Sequence, residues 1–383
     1  MRSHIRTRIE SVMKGPAGGS PISLEGTLSA LGAVYGWIVK LRSDAYRQGW
    51  FPVNRLPCQV ISVGNLTLGG TGKTPMTIYV SQQIQSMGFR TAVISRGYGG
   101  RAEKTGGIVS DGRRLLMKPI DAGDEPYMMA RKLEGIPVLV GQDRYHTGNL
   151  ALDAFFPEVI ILDDAYQHLR LYRDINLVLL DASNPFGNGH LFPRGTLREP
   201  ISALSRADAV IMTRCPGDLP PEPLTASGPS DHRYRRLPVF HTIHDVRFTV
   251  AESHGTTHGN ERTRHVPEEG VPEKVFAFSA IARNDEFIRS LNSAGYTVAG
   301  TRFFPDHHPY SEDELHDIIR DAHGSNAEAV VTTEKDVARM GADLQWPLPL
   351  IVAGVSISFG CQAEAFHRFI LNKLGVRPSG EVA

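Results

Sequence analysis

The chain has 383 residues, enough for two domains with ordinary hydrophobic cores. Its 41 lysines and arginines balance its 41 aspartates and glutamates, so no overall positive field would recruit nucleic acid. The three cysteines are far apart in sequence and form no CxxC pair, which argues against a disulfide scaffold or a zinc site and fits the reducing cytoplasm.

The first predicted element is an amphipathic helix. Residues 27–39 form an apolar segment that is too short to span a bilayer, which takes roughly 20 residues. Six residues continue one apolar stripe at helical spacing: Leu28, Leu31, Val34, Tyr35, Ile38 and Leu41. Basic and aromatic residues surround the stripe, as in helices that lie in a membrane interface. Packing of the stripe on the chain's own core is the alternative.

From residue 57 onward, short apolar runs alternate with helical stretches. Most of the runs are continuous in Val, Ile and Leu, as in strands buried on both faces of a parallel sheet. The predicted strands are residues 58–63, 91–95, 136–140, 158–162, 175–180 and 207–213. Helices are expected after Thr74, Asp124 and Asp143. The alternation predicts an α/β fold with a doubly wound, mostly parallel sheet.

Composition then divides the remainder of the chain. Residues 216–232 are rich in Pro, Gly and Ser, and residues 252–270 are polar without periodicity. A second, smaller α/β lobe is expected beyond them, with strands at 274–281, 296–304, 328–333 and 348–358 and helices at 285–294 and from Ser311. The predicted organisation is a membrane-interface segment (1–50), a P-loop nucleotide-binding core (51–215), a linker and polar insertion (216–272) and the smaller lobe (273–383).

The stretch VGNLTLGGTGKTP, residues 63–75, predicts a phosphate-binding loop between a strand and a helix. The backbone amides of Gly69, Gly70, Thr71 and Gly72 would point at phosphate, and the following helix adds its positive N-terminal end. Lys73 would reach the β- and γ-phosphates of the nucleotide. The hydroxyl of Thr74 would bind Mg²⁺. Thr67 occupies the place of the usual first glycine, and a ligand-free glycine turn is the alternative.

An acidic pair supports this interpretation. Asp163 and Asp164 end the apolar run VIILDD, and a carboxylate at the end of a neighbouring strand helps hold magnesium in P-loop proteins. Many plain strands also end in aspartate. The pair is therefore informative only together with the loop.

Other P-loop classes fit less well. Partitioning ATPases carry an extra lysine where this chain has Leu68. Guanine recognition needs N/T-K-x-D, whereas Lys335 and Asp336 are adjacent in TTEKD. Helicases and motors would need tandem cores or a basic groove, of which the sequence shows no sign.

Several motifs in order make the chain similar to the tetraacyldisaccharide 4′-kinase family, the lipid A 4′-kinases of Gram-negative bacteria. Beside the phosphate loop, these motifs are SRGYGG (95–100), GDEP (123–126), DR (143–144), DDAYQH (163–168), RDINLVLLDA (173–182), FGNGHLFPRGTLREP (186–200), FPDHHPY (304–310) and TTEKD (332–336). The similarity runs from about Tyr35 to Asp336. The chain departs from the family pattern at Ala165, Tyr166 and Ala280, and the loss of glycine at positions 165 and 280 indicates altered backbone geometry.

The resemblance implies an ATP- and Mg²⁺-dependent kinase that phosphorylates the 4′-hydroxyl of a tetraacylated glucosamine disaccharide 1-phosphate. It also implies a monotopic enzyme on the cytoplasmic face of the bacterial inner membrane. Because a substrate with four acyl chains stays in the bilayer, the resemblance favours the membrane-interface interpretation of the N-terminal segment. Neither a nucleic acid nor an obligate protein partner is implied.

Residue roles carry over from the matching motifs. Asp124 and His307, together with Lys73, are the implied catalytic residues. The first two form a pair in which one side chain accepts the proton of the hydroxyl and the other orients or relays it. Arg144 and Arg198 would bind phosphate oxygens.

Some alternatives stay open. Glu199 would assist the metal with Thr74, Asp163 and Asp164, or orient an arginine. From its pattern alone, GDEP equally suits a helix N-cap, whereas DHH has no further ligand cluster at metal spacing. His308 is expected to be structural.

Two other functions remain to be distinguished from the kinase. A regulatory or assembly P-loop ATPase would bind and hydrolyse ATP without phosphorylating a lipid. A membrane-peripheral scaffold with a degenerate loop would bind no nucleotide.

Overall fold

The computed structural model describes residues 11–13, 15, 23–216, 237–251, 264–265, 272–340 and 346–375. The beginning of the predicted membrane-interface segment, most of the predicted linker and nearly all of the polar insertion lie outside these residues. The strands are β1 (Gln59–Asn65), β2 (Thr91–Ser95), β3 (Gly107–Ser110), β4 (Val138–Val140), β5 (Val159–Asp163), β6 (Ile175–Asp181), β7 (Ala209–Thr213), β8 (Val239–His241), β9 (Ile243–Ala251), β10 (Arg264–His265), β11 (Lys274–Ser279), β12 (Thr297–Phe303), β13 (Ala329–Thr333) and β14 (Leu350–Ser358).

Helices separate most of the strands. The α-helices are α1 (Leu24–Arg47), α2 (Lys73–Ser86), α3 (Pro119–Ala122), α4 (Asp124–Lys132), α5 (Arg144–Phe155), α6 (Asn284–Ser293), α7 (Glu312–Gly324), α8 (Glu334–Met340) and α9 (Ala363–Leu374). Every strand predicted from an apolar run is present, with its ends moved by a few residues at most. The mixed α/β class, with a large, mainly parallel sheet and a second smaller sheet, is confirmed.

The chain forms two compact units that are discontinuous in sequence. The first unit takes in the N-terminal region as far as Ile94, then Arg144–His244, then the region from Ile357 onward. The second unit comprises Ser95–Asp143 and Asp245–Ser356. These boundaries differ from the continuous segments expected from composition, because contacts between distant stretches of the chain, rather than Pro- and Gly-rich stretches, define the units.

In the first unit, six parallel strands lie in the order β2-β5-β1-β6-β7-β8. Strands β1, β2, β5 and β6 are buried along almost their whole length, as their uninterrupted apolar runs predict. The carboxyl ends of parallel strands meet at one sheet edge, where α/β proteins bind ligands. The ends of β1 and β5 therefore bring the glycine-rich loop and the acidic pair to the same edge.

Helix α1 packs on the first unit through small residues. Its buried positions are Leu28, Gly32, Gly36 and Ala45. A Cβ atom on Gly36 would lie 2.5 Å from Cδ1 of Leu191, so only glycine permits this close packing. Among the described residues, no helix combines the length and the apolar character needed to cross a bilayer.

Aromatic packing places α9 in the first unit. The ring of Phe366 stacks on Phe359 with centroids 4.2 Å apart, and both rings lie beside Tyr79 of α2 and Phe240 of β8. This contact was missed in the sequence because the helix follows directly on strands of the smaller lobe. Helix α9 therefore belongs to the first unit.

The second unit contains the antiparallel pair β3–β4 and a sheet in the order β10-β9-β14-β13-β11-β12. Strands β12, β11, β13 and β14 are parallel, and β10 pairs with β9 in antiparallel orientation. Apolar clusters cover this sheet, one built on Phe287 and Leu291 of α6 and another on Leu315 and Ile318 of α7. The sheet supports the loop after β12, which carries FPDHHPY.

Candidate active site

The glycine-rich loop has the backbone that phosphate binding requires. Gly69 and Gly72 adopt positive φ values of 110° and 84°, which favour glycine. Gly72 caps α2, and the helix begins at Lys73, so its first amides face the loop. The predicted strand, loop and helix are therefore all present in order.

Side chains at or just after the ends of β1 and β7 hold the loop in shape. Asn65, at the end of β1, donates hydrogen bonds to the carbonyl of Thr67 at 2.7 Å and to Oγ1 of Thr71 at 2.9 Å. Thr213, at the end of β7, donates to the carbonyl of Thr71 at 3.0 Å. Arg214 donates to the carbonyl of Gly70 at 2.7 Å. Sequence analysis did not single out Asn65, Thr213 or Arg214, although each stands at or just after a strand end.

The motif at 186–200 runs beside the same loop. Backbone amides of Leu68 and Arg198 donate to the carbonyls of Thr196 and Leu66, both at 2.7 Å. A Cβ atom on Gly195 would lie 2.1 Å from Oδ1 of Asn188, so the segment folds back tightly on itself. This pairing fixes the side chain of Arg198 next to the phosphate loop.

The two aspartates of the acidic pair have different partners. Asp163 is buried and accepts a hydrogen bond from Thr77 of α2 at 3.0 Å. Asp164 adopts a positive φ of 48° and accepts hydrogen bonds from Nη1 of Arg198 on both carboxylate oxygens. Nζ of Lys73 lies 3.8 Å from Asp164. The lysine, the arginine and the carboxylate therefore form one charged group at the sheet edge.

Two other predicted site residues, Glu199 and Arg144, are buried. The buried carboxylate of Glu199 is paired with Arg206, whose guanidinium stacks on the ring of Tyr166 with its Cζ atom 4.7 Å from the centroid. Arg144 is buried at the start of α5. Ala165 lacks the positive φ that would demand glycine.

In the second unit the structure brings together Asp124 and His307. Nδ1 of His307 lies 3.1 Å from Oδ2 of Asp124, which is the first residue of α4. The same Oδ2 accepts a hydrogen bond of 2.6 Å from Nε of Arg339. The two residues are 183 positions apart in the chain, so only the fold makes them neighbours.

The surroundings of the pair shift the pKa values of both side chains. Although partial burial raises the pKa of Asp124, the hydrogen bond from His307 and the charge of Arg339 outweigh it and leave this pKa below its ordinary value. The hydrogen bond to Asp124 raises the pKa of His307. The carboxylate of Asp124 engages Nδ1 of His307, and the second imidazole nitrogen, Nε2, lies 3.9 Å from Oδ2 of Asp306.

Glycines place Asp124 where His307 can reach it. The N-cap of α4 is Gly123, with a φ of 86° and no side-chain cap, so Asp124 is not the N-cap that GDEP suggested. A Cβ atom on Gly100 would lie 2.5 Å from the carbonyl of Asp121, and one on Gly123 would lie 2.9 Å from that of Tyr98. This tight backbone contact explains Gly100 of SRGYGG. Tyr98 itself lies edge-on to His307, with centroids 6.2 Å apart.

The remaining motif residues have structural partners. Nε2 of His308 lies 3.0 Å from both carboxylate oxygens of Glu314, as its expected structural role requires. Asp336 of TTEKD is fully buried and accepts hydrogen bonds from Tyr310 and Thr333. Across the part of the chain that the structure describes, no group of three or more His, Cys, Asp or Glu side chains is placed to hold a metal ion.

Known proteins agree with these observations. The family model described as tetraacyldisaccharide-1-P 4′-kinase matches residues 24–375. Among similar proteins, the tetraacyldisaccharide 4′-kinase of Desulfatibacillum aliphaticivorans is 41% identical over 98% of this chain and 99% of its own length. That of Syntrophus aciditrophicus is 40% identical over 88% of this chain and 89% of its own length.

A solved structure is similar as well. LpxK from Aquifex aeolicus, crystallised in complex with ATP, superposes with a TM-score of 0.71 and 28% identity, covering 92% of this chain and all of the other. No finding favours the regulatory ATPase. With a matching family model over nearly its full length and relatives at about 40% identity, the chain belongs to the tetraacyldisaccharide-1-P 4′-kinase family.

Proposed function

We propose that this protein is an ATP-dependent kinase that phosphorylates the 4′-hydroxyl of a tetraacylated glucosamine disaccharide 1-phosphate. The observation that carries the proposal is that the chain holds both parts of a phosphotransferase. A glycine-rich phosphate loop begins α2, and a hydrogen-bonded carboxylate–imidazole pair is formed by Asp124 and His307. A protein that only bound nucleotide would have no use for the second part.

The loop and its cations bind the triphosphate. Lys73 neutralises the β- and γ-phosphates, and the amides from Gly69 to Thr74 donate to their oxygens. Nε of Arg198 is buried and, among the described residues, has no hydrogen-bond partner. A phosphate oxygen would satisfy it, because buried donors are rarely left without an acceptor. Arg144 is a further phosphate-binding residue by its place in the family motif.

The donor set at the sheet edge suits Mg²⁺. A hydroxyl from Thr74 and carboxylates from Asp163 and Asp164 are hard oxygen ligands, and Mg²⁺ usually binds one or two carboxylates together with substrate phosphates. The ion would neutralise charge on the transferred group. Glu199 would have to leave its ion pair with Arg206 to join these ligands.

The Asp124–His307 pair takes the proton of the attacking hydroxyl. An alcohol has a high pKa, so its oxygen attacks phosphorus effectively only with a proton acceptor in reach. Asp124 holds the imidazole by Nδ1 and stabilises its charged form, which leaves Nε2 as the accepting atom.

The exposed face of α1 provides contact with a membrane. While Leu28 is buried, five large apolar side chains of the helix are about half exposed or more: Leu31, Val34, Trp37, Ile38 and Leu41. An exposed apolar stripe on a helix with Lys40 and Arg42 fits the interface of an anionic bilayer. The proposed location is the cytoplasmic face of the bacterial inner membrane, where ATP is present and the acylated substrate resides.

Transfer of labelled phosphate tests the function. Purified protein is incubated with γ-labelled ATP, Mg²⁺ and detergent-dispersed disaccharide 1-phosphate, and the products are separated by chromatography. The proposal expects label in a bisphosphorylated lipid. Label found only as free phosphate would support a regulatory ATPase, and absence of ATP binding would support a scaffold.

A further inference from the structure

We propose that Arg339 is a positioning residue for the phosphotransfer reaction, holding the carboxylate of Asp124 aligned with His307. The inference rests on the proposed function for its catalytic meaning. Arg339 lies on α8, outside every motif that was assigned a chemical role.

The contacts of Arg339 are specific: two of its guanidinium nitrogens donate hydrogen bonds, and the third lies near His307. Nε donates to Oδ2 of Asp124 at 2.6 Å, and Nη1 donates to the carbonyl of Ala280 at 2.8 Å and to Oδ1 of Asp336 at 3.1 Å. Nη2 lies 3.4 Å from Nδ1 of His307. One planar group therefore reaches both members of the Asp124–His307 pair.

Burial and an ion pair with Asp336 fix the orientation of this guanidinium. Its side chain is only 3% exposed, and the carboxylate of Asp336 is fully buried. Asp336 also accepts hydrogen bonds from the amide of Ala280 and from the hydroxyls of Tyr310 and Thr333. A salt bridge in such surroundings is far less screened than a surface pair, so its charge acts strongly on Asp124.

The role of Arg339 differs from simple fold stabilisation because its Nε is directed at the carboxylate that His307 uses. The charged and titratable groups around the pair are Arg339, Asp306, whose Oδ2 lies 3.9 Å from Nε2 of His307, and the exposed Tyr98. Nearby, Lys335 is already paired with Glu125. Of the described residues that contact Asp124 itself, Arg339 alone is permanently charged. Its removal therefore raises the pKa of Asp124.

Three variants distinguish the effect of the charge of Arg339 from its effect on folding. Arg339→Met removes the charge and keeps most of the volume, whereas Arg339→Lys keeps the charge without the planar fork. Arg320→Met is the matched control, because Arg320 forms an exposed ion pair with Asp317 on α7 of the same unit. Thermal unfolding of each variant identifies any that fails to fold.

The primary measurement is the pKa of Asp124, determined by NMR titration of carboxyl-labelled aspartate in the full-length protein. The Asp124→Asn variant assigns the Asp124 signal. Arg339→Met is expected to raise this pKa by about one unit or more, Arg339→Lys by less, and Arg320→Met not at all. An unchanged value in folded Arg339→Met would overturn the inference. This measurement needs no substrate, so it stands even if the proposed activity fails.

The kinetic measurement tests the catalytic meaning. Arg339→Met is expected to lower kcat about 10- to 100-fold while the KM for ATP stays near the wild-type value, and Arg339→Lys is expected to recover part of the loss. A variant with wild-type kcat, measured where the wild type phosphorylates the lipid, would refute the positioning role alone. Loss of lipid phosphorylation by the wild type would refute the proposed function instead.

Discussion

Arg198 donates hydrogen bonds from a single nitrogen, Nη1, to both carboxylate oxygens of Asp164, at 2.9 and 3.0 Å. The pairing uses the positive charge of Arg198 but not its planar fork. Nε of the same guanidinium is buried without a hydrogen-bond partner among the described residues, and it is the nitrogen proposed to donate to phosphate.

Arg198→Lys therefore separates two roles. We expect its free energy of unfolding to stay within about 1 kcal/mol of the wild type, because an ammonium group can retain the pair with Asp164. We expect its kcat/KM for ATP to fall about 10-fold or more, because a point charge does not replace two parallel donors. Urea unfolding and steady-state kinetics measure the two effects. Wild-type kinetics in this variant would contradict the assignment of Arg198 to phosphate.

Lys73→Met is expected to lower kcat/KM at least about 100-fold, since the ammonium group neutralises charge that develops on the transferred phosphoryl group. Lys73 is the first residue of α2, and its Nζ lies 3.8 Å from Asp164. Circular dichroism should be unchanged. Lys274→Met, an exposed substitution on β11, is the control and should retain full activity.

Asp124→Asn is expected to lower kcat about 100- to 10,000-fold without unfolding the protein. The hydrogen bond to Asp124 is the main cause of the raised pKa of His307, so the variant should bring that pKa down toward 6.5. NMR titration of labelled histidine measures the shift directly. A histidine pKa that stays high in the variant would show that Asp124 does not control His307.

The same pair predicts a pH window for stability. A raised pKa of His307 stabilises the fold below pH 6.5, and this contribution is lost as the pH rises through the raised value. A lowered pKa of Asp124 stabilises the fold above pH 3.8, and this contribution is lost as the pH falls through the lowered value. His307→Gln should therefore cost most stability between pH 3.8 and 6.5. Urea unfolding across pH tests this, and a constant cost would contradict it.

Removal of residues 1–50 should weaken membrane association, but truncation also removes the packing of Leu28 and Gly36. Val34→Ser, Trp37→Ser and Ile38→Ser combined change only exposed side chains of α1. Each substitution removes an apolar side chain whose transfer out of water contributes roughly 1 kcal/mol or more. Partitioning of the triple variant to anionic vesicles should therefore fall at least 10-fold. Ile120→Ser, an equally exposed site in the second unit, should leave sedimentation with vesicles unchanged. Unchanged binding of the triple variant would remove α1 from the membrane contact.

Gly64→Ala should destabilise the protein by about 1–3 kcal/mol. A Cβ atom at this position of β1 would lie 2.6 Å from Cβ of Tyr166 and 2.9 Å from its backbone nitrogen, and the backbone cannot easily move away. Gly324→Ala is the control, since a Cβ there meets no atom within 4 Å. Equal unfolding midpoints for the two variants would contradict the packing argument.

The predictable part of the fold rests on periodicity and local signals. Continuous Val, Ile and Leu runs located the strands, and the glycines before Lys73 located the phosphate loop. Strand β3, GIVS, was missed because four residues flanked by glycines carry little pattern. The membership of α9 in the first unit depends on rings of Tyr79 and Phe240 that no local pattern connects to it.

The candidate site was predictable only in part. Lys73 and the acidic pair follow from spacing, whereas Asp124 and His307 came from resemblance, since no pattern links residues 183 positions apart. Arg339 was missed because an arginine on a short helix suggests an exposed side chain. Only the fold shows that it is buried against Asp336.

The interleaved boundaries of the two compact units have a consequence for synthesis. Ser95–Asp143 leaves the ribosome long before Asp245–Ser356, the stretch that completes its unit. Ser95–Asp143 therefore stays incompletely packed while about 100 intervening residues are synthesised. During this interval it is accessible to chaperones and proteases. No single cut in the polypeptide yields a self-sufficient half, so attempts to express either half from one continuous gene fragment should give insoluble material.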